Sequence, residues 1–188
     1  MGKIIYLIGA SGSGKDAILS WLRQTDSSKL NLMIAHRYIC RDWQSGNENH
    51  IELSQSEFLR RQALGGFALS WQANGLYYGI GRELDFWLEQ EQVVVVNGSR
   101  EYLATALSLY GDALKPLLIQ VDPDVLRQRL IARGRESLAD IEARLKRNQT
   151  QNQAALLDKC HVIHNNTSIE EAGQQFISLV HSLVDMES

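Results

Sequence analysis

The chain has 188 residues, 44% of them hydrophobic, two prolines and a formal net charge of −3. This excludes a disordered or collagen-like chain and predicts one domain able to bury about 70% of its extended-chain surface. No apolar run approaches the roughly 18 residues of a membrane span, and the slightly acidic balance argues against a general nucleic-acid binder.

Short apolar runs alternate with segments of helical period, the pattern of an α/β domain with a parallel sheet. The first strand is predicted over 3–8. Its apolar core is too short for a signal peptide and runs into Gly-Ser-Gly-Lys instead of a cleavage site. Tyr6 stands where lipidation of Gly2 would prefer Ser or Thr. A glycine-rich stretch, 9–16, leads into a helical pattern through Ala17, Ile18, Leu19, Trp21 and Leu22. The second strand is predicted over 31–36. Residues 37–81 then break the alternation with many glycines and interspersed aromatics, and read as an inserted lobe of short strands and one helix, opened by the capping box Ser54-x-x-Glu57. Four valines predict a strand over Val93–Asn97 that is buried on both faces. Another strand is expected over 116–121. Asp122-Pro123 marks a helix start, Gly134 a break, and 138–157 a long helix. A last strand is predicted over His161–His164, and Thr167-x-x-Glu170 reads as the capping box of the final helix.

Cys40 and Cys160 form neither a disulfide framework nor a metal motif, so a reducing cytoplasm is the expected location. His161 and His164 fall on opposite faces of a strand, which argues against a shared metal. Thirteen of the nineteen cations are arginine, whose planar fork suits phosphate or carboxylate recognition. Ordinary surface charge is an equal reading of that bias.

The strongest signal is Gly9-Ala10-Ser11-Gly12-Ser13-Gly14-Lys15-Asp16, which matches G-x-x-x-x-G-K between a predicted strand and a helix. Glycines let successive backbone N–H groups turn inward as an anion nest, and the helix N-terminus adds partial positive charge. Lys15 adds a full charge for the outer phosphates. The motif ordinarily ends in Ser or Thr, whose hydroxyl ligates Mg²⁺; here it ends in Asp16. Many such folds carry a metal-organising Asp at the end of the strand that here ends in Asn97-Gly98-Ser99-Arg100. Two readings of Asp16 follow: it takes over part of the Mg²⁺ ligation, or it only caps the helix.

With that loop placed, nearly the whole chain resembles the guanylate kinase branch of the P-loop kinases. Glu57-Phe58, Phe67-x-x-x-Trp71 and Gly75-x-Tyr77-Tyr78-Gly79 are similar to the acceptor lobe of that family. Asp124-x-Leu126-x-x-Arg129-Leu130-x-x-Arg133-Gly134 and Ile141-x-x-Arg144-Leu145 are similar to its lid and following helix. His161-Val162-Ile163-His164-Asn165-Asn166 is similar to its last strand and turn. The resemblance implies a P-loop kinase fold in a single domain: a five-stranded parallel sheet flanked by helices (core about 1–36 and 82–188), an inserted acceptor-binding lobe (about 37–81) and a helical lid (about 130–142).

The departures point away from guanine. Ser70 stands where these kinases place the carboxylate that holds the base, and His50 where a phosphate-touching tyrosine is expected. Arg41 fits one of the paired acceptor arginines, while Arg37 lies four residues before it. Arg37-Tyr38-x-x-Arg41-Asp42, Gly46-x-Glu48-Asn49-His50-Ile51, Leu69-Ser70-Trp71, Asn74-Gly75-Leu76-Tyr77-Tyr78-Gly79, Asn97-Gly98-Ser99-Arg100 and the Gly-Lys-Asp ending resemble the ribose 1,5-bisphosphate phosphokinases.

That resemblance implies ATP-dependent, Mg²⁺-assisted phosphorylation of ribose 1,5-bisphosphate to 5-phospho-α-D-ribosyl 1-diphosphate, in phosphonate catabolism; composition and spacing alone stop at a P-loop kinase with a non-guanine acceptor. It gives catalytic roles to Lys15, Asp16, Arg133 and Arg144. Donor binding falls to Gly9, Ala10, Ser11, Gly12, Ser13, Gly14, Lys15, Asp16, Arg129 and Arg133. Substrate binding falls to Arg37, Arg41, His50, Ser70, Tyr78, Asn97, Ser99 and Arg100. The partner is a small molecule, with no nucleic acid and no membrane; a homodimer is left open. Two competitors remain, a nucleoside monophosphate kinase and a non-catalytic guanylate kinase-like interaction module, the latter disfavoured by the intact Gly14-Lys15.

Overall fold

The computed structural model describes residues 2–25, 32–45, 48–134, 136–150 and 159–185. Asn31, Gly46, Arg135 and 151–157, on which some sequence expectations fall, lie outside them.

Five strands form an all-parallel sheet: β1 (Lys3–Gly9), β2 (Leu32–Ile34), β7 (Val93–Asn97), β8 (Leu114–Gln120) and β9 (His161–His164), in the order β2-β7-β1-β8-β9. Alternating residues of the central strands feed two cores. Ile4, Tyr6, Ile8, Val94 and Val96 pack on one face. Ile5, Leu7, Val93 and Val95 pack on the other with Ile18, Leu22 and Phe176 from α1 (Lys15–Gln24) and α7 (Ile169–Asp185). This double burial is why β7 is a run of valines and not an alternating strand. Strand β2 is shorter than expected. Strand β8 starts earlier, with Pro116 inside it; β9 pairs only from Leu117 onward, so the missing N–H sits beside the point where that ladder begins.

Between β2 and β7 lies a second, mixed sheet of order β4-β3-β6-β5, built from β3 (Arg37–Ile39), β4 (Ile51–Glu52), β5 (Phe67–Ala73) and β6 (Leu76–Gly81) and covered by α2 (Gln55–Ala63). Ser54 caps α2, its Oγ accepting from the Glu57 N–H. Ile39, Leu69, Trp71 and Ile80 reach the main core, while Leu53, Phe58 and Phe67 form a small core of their own. Helices α3 (Glu83–Glu89) and α4 (Leu103–Tyr110) flank β7 and β8, and α5 (Pro123–Arg133) turns through Gly134 into α6 (Leu138–Thr150). The final helix begins one residue later than the sequence pattern suggests: Ser168, not Thr167, is its N-cap, with Oγ accepting from the Glu171 N–H. Among the described residues no helix is long and apolar enough to cross a membrane.

Strand order reverses about β1, since α1 leads to one side of it and α4 to the other. Ligands of open α/β sheets bind beyond the carboxyl ends of the strands at such a switch point. That edge gathers the loops after Gly9, Asn97, Gln120 and His164.

Candidate active site

The loop after β1 folds as the glycine spacing requires. Gly12 and Gly14 adopt φ of 91° and 94°, conformations that L side chains rarely take. Gly14 also has no room for a side chain, because a Cβ there would lie 2.3 Å from Asn165 Nδ2. That amide, from the turn after β9, donates to the Ser13 carbonyl at 2.8 Å. Asn165 and Ser13 are fully buried, and Asn165 Oδ1 and Ser13 Oγ have no partner among the described residues. Lys15 folds back over the loop, donating to the carbonyls of Gly9 (2.8 Å) and Ala10 (3.2 Å). Burial pushes its ammonium down from 10.5 to about 8; Asp16 opposes that shift, while Arg37 and Arg100 add to it.

Gly14, not Asp16, is the N-cap of α1, so the helix-capping reading of Asp16 is set aside. The Asp16 carboxylate instead turns across the site, its Oδ1 accepting from Asn97 Nδ2 at 3.0 Å. Asn97, standing where an acid was expected at the end of β7, is therefore in contact with the acid gained in the loop. Asn97 is buried, and its Oδ1 has no partner among the described residues.

Opposite the loop, Glu48 organises the cations. Arg37 grips it with both Nε and Nη2, the latter at 2.5 Å, and Arg41 Nη2 stands 3.5 Å away. Asn97 Nδ2 lies 3.5 Å from Glu48 Oε1, so one amide spans the Asp16 and Glu48 carboxylates. Burial raises the pKa of Glu48, but the Arg37 hydrogen bonds and charge outweigh it and hold the carboxyl below its ordinary range. The Arg37 guanidinium also lies 5.0 Å above the centre of the Tyr78 ring, which stacks on Trp71. Both His50 nitrogens face the protein: Nε2 lies 3.1 Å from the Arg41 carbonyl, and Nδ1 3.4 Å from Arg41 Nη2. The buried imidazole thus braces the 41–50 segment.

Ser70 is not with this group. It pairs across the ladder with Gly79, on the face opposite Trp71 and Tyr78, and its hydroxyl accepts from Gln62 at 3.0 Å. The Ser99 backbone is tied on both sides to the buried Tyr6 hydroxyl, which fixes the loop carrying Arg100. Arg100 is half-buried, and its Nε has no partner among the described residues.

From α6, Arg144 reaches the loop after β1 directly: Nη1 donates to Ser11 Oγ at 3.0 Å while Nη2 pairs with Glu136 at 2.7 Å. Arg129 instead donates to the Thr167 carbonyl at 3.1 Å, beside the Asn165 turn. Arg133 is exposed, one helical turn from Arg129.

A cavity of about 210 Å³ lies between α1 and the lobe. Asp16, Ser20 and Arg23 line it from the helix, with Arg37, Glu48 and Asn49 from the lobe side and Asn97 from β7. Three of the residues that matter here escaped the sequence reading. Glu48 was visible only as part of a motif, and Asn165 as a turn residue. Arg23 lies seven residues after Asp16 and so on the same helical face, a periodicity that could have revealed it. Among the described residues no cluster of three or more His, Cys, Asp or Glu could hold a metal.

No family profile matches the chain. It is 45% identical over 179 residues to the ribose 1,5-bisphosphate phosphokinase PhnN of Enterobacter lignolyticus, covering 95% of this chain and 92% of that protein. Its identity to the namesake from Klebsiella pneumoniae is 46% over 181 residues, covering 96% and 94%. For that of Psychromonas ingrahamii it is 46% over 179 residues, covering 95% and 90%. Among solved structures, guanylate kinase from Anaplasma phagocytophilum superposes with a TM-score of 0.70 at 16% identity, covering 96% of this chain and 86% of that one. A guanylate kinase-like fold thus gathers Arg37 and Arg41 on Glu48 opposite the glycine-rich loop, and the identity to curated relatives runs through nearly all of it: the chain belongs to the ribose 1,5-bisphosphate phosphokinase family.

Proposed function

We propose that the protein transfers the γ-phosphoryl group of ATP to the 1-phosphate of ribose 1,5-bisphosphate, giving 5-phospho-α-D-ribosyl 1-diphosphate and ADP. The observation that carries this reading is the arginine-lined cavity facing the phosphate loop, in a chain about 45% identical to the family over nearly its full length. A phosphate-oxygen nucleophile attacks the γ-phosphorus while the bond to the β-phosphate breaks. The acceptor has a second pKa near 6 and is mostly dianionic at neutral pH, so the reaction needs no general base. Its difficulty is electrostatic: a dianion must approach a triphosphate, and preorganised cations offset the repulsion. Lys15 and the loop N–H groups serve the donor phosphates. Arg144, already at Ser11, serves the transferring group, and Arg37, Arg41 and Arg100 serve the acceptor. Arg129 and Arg133 complete the lid side.

Mg²⁺ fits the same place. Asp16 supplies a hard oxygen beside the donor site, and the orphaned Asn97 Oδ1 is a second candidate ligand. Held there, Mg²⁺ would supply positive charge to the donor phosphates. Asp16→Ala is expected to raise the Mg²⁺ concentration for half-maximal rate at least about tenfold, a charge-assisted contact's worth, with Asp16→Ser intermediate. An unchanged Mg²⁺ requirement in both would remove Asp16 from metal binding.

The deciding assay incubates the enzyme with ATP, Mg²⁺ and either ribose 1,5-bisphosphate or GMP and detects the diphosphate sugar or GDP. Formation of the diphosphate sugar is expected; preference for GMP would overturn the proposal. The Ser70 hydroxyl, which accepts from Gln62, supports the first outcome, since that side chain offers guanine no carboxylate.

A further inference from the structure

We infer that Arg23 is the recognition residue for the second, non-reacting phosphate of the acceptor, and so sets the preference for a sugar bisphosphate over a monophosphate. The inference rests on the functional reading above and extends it to a residue with no assigned role.

The geometry begins with α1. Asp16, Leu19, Ser20, Arg23 and Gln24 all line the cavity, the spacing of one helical face. Seven residues at 1.5 Å rise set Asp16 and Arg23 about 10 Å apart along the axis. The cavity therefore has a reacting end, at Asp16 and Asn97, and a far end two turns away. At the reacting end the charged side chains have hydrogen-bond partners: Arg37 is held by Glu48, and Asp16 accepts from Asn97. The far end differs. Arg23 is half-buried, and among the described residues it makes no hydrogen bond or ion pair. A desolvated guanidinium without a hydrogen-bond partner is costly; burial works against its charge and outweighs the favourable field of the Glu48 and Asp16 carboxylates. Ser20 and Gln24 flank Arg23 on the helix with neutral polar groups, Asn49 lines the cavity from the lobe, and Leu19 and Ala35 give the cavity an apolar wall.

An acceptor with an anionic group at each end of a ribose ring matches this layout. Its 1-phosphate lies toward Asn97 and Arg37, the sugar passes Leu19 and Ala35, and its 5-phosphate meets the Arg23 fork. Arginine forms two parallel N–H bonds to phosphate, and a monophosphate acceptor would leave that fork unpaired.

The test compares wild type, Arg23→Ala and Arg23→Lys with ribose 1,5-bisphosphate and with ribose 1-phosphate, which lacks the distal group. Arg23→Ala is expected to raise KM for the bisphosphate about 10- to 100-fold, the loss of a charge-assisted contact. The preference for bisphosphate over ribose 1-phosphate falls by the same factor, KM for ATP moves less than about threefold, and Arg23→Lys recovers part of the loss. An unchanged preference in Arg23→Ala overturns the inference.

Binding of ribose 5-phosphate to the ADP-loaded enzyme, read by calorimetry, separates this from failure of the functional reading. If wild type does not turn over the bisphosphate, that reading falls. Arg23-dependent binding of ribose 5-phosphate would then still uphold the anion site, and equal binding by wild type and Arg23→Ala would dismiss it.

Discussion

Lys15 brings a full positive charge to the proposed donor site, yet among the described residues its hydrogen-bond partners are two carbonyls of its own loop, and burial lowers its pKa to about 8. Between about pH 8 and its unfolded value of 10.5, the folded chain binds fewer protons at this position than the unfolded chain. Ligand-free stability therefore gains from Lys15 as pH rises through that window. A polyphosphate reverses the balance, because an adjacent anion favours the ammonium form. At pH 9, binding of ATP is accordingly expected to take up close to one proton. The uptake is measured as the dependence of the calorimetric binding enthalpy on buffer ionisation heat, and Lys15→Met abolishes it. Proton-independent binding at pH 9 by the wild type would mean that the ammonium is already fully charged without ligand. The same residue shows what local sequence can reveal: the Gly-Lys-Asp ending is contiguous, so the nest and its lysine are legible without tertiary information. Glu48 and Arg37 are eleven positions apart and meet only because the lobe folds back. Asn165 reaches Ser13 from 152 positions away, and no pattern in a turn asparagine announces that contact.

Among the elements, β7 and the capped starts of α2 and α5 were legible in the sequence, and the start of α7 was not. The four valines of β7 could only be a strand buried on both faces, whereas two capping boxes overlap at the start of α7. Thr167-x-x-Glu170 and Ser168-x-x-Glu171 both satisfy the pattern, and the structure uses the second. Thr167 instead donates from its hydroxyl to Glu171 and offers its carbonyl to Arg129. The choice follows from the strand before it. Asn165 N–H bonds to the Gln120 carbonyl while its side chain turns inward to Ser13, Asn166 Oδ1 accepts from the Asp122 N–H, and the Thr167 hydroxyl is given to Glu171, which leaves Ser168 as the side chain that caps the helix. Ser168→Ala is therefore expected to lower stability by about 1 kcal/mol, read as a reduced denaturation midpoint at constant m-value. Thr167→Ala should lower it less, its hydrogen bond being exposed. The reverse order would move the helix start back to the position first read from sequence.

At the scale of the whole molecule, the proposed function gives donor and acceptor to regions of unequal strength. The parallel sheet carries two large cores, with Phe176 fully buried in one of them. The outer half of the lobe depends on Leu53, Phe58 and Phe67, with the Phe58 and Phe67 rings stacked at 4.5 Å. Truncating a buried Phe to Ala costs about 3–5 kcal/mol, and where it falls decides what is lost. In Phe176→Ala the loss falls on the sheet that holds the phosphate loop, so donor and acceptor affinity should decline together with global stability. In Phe58→Ala it falls on α2 and the strands of the second sheet, while the phosphate loop keeps its bonds to Asn165 and β1. Local opening there draws on the low-stability end of the molecule, so hydrogen exchange should accelerate in residues 37–81 before it does in β1 or β7. Acceptor KM should then rise about tenfold or more, because a competent lobe is only fractionally populated, with ATP affinity within about twofold. If Phe58→Ala weakened ATP binding as much as acceptor binding, the lobe and the sheet would be one cooperative unit. The acceptor site would then owe its specificity to side chains alone, with no contribution from the independent motion of the element that carries Arg37 and Arg41.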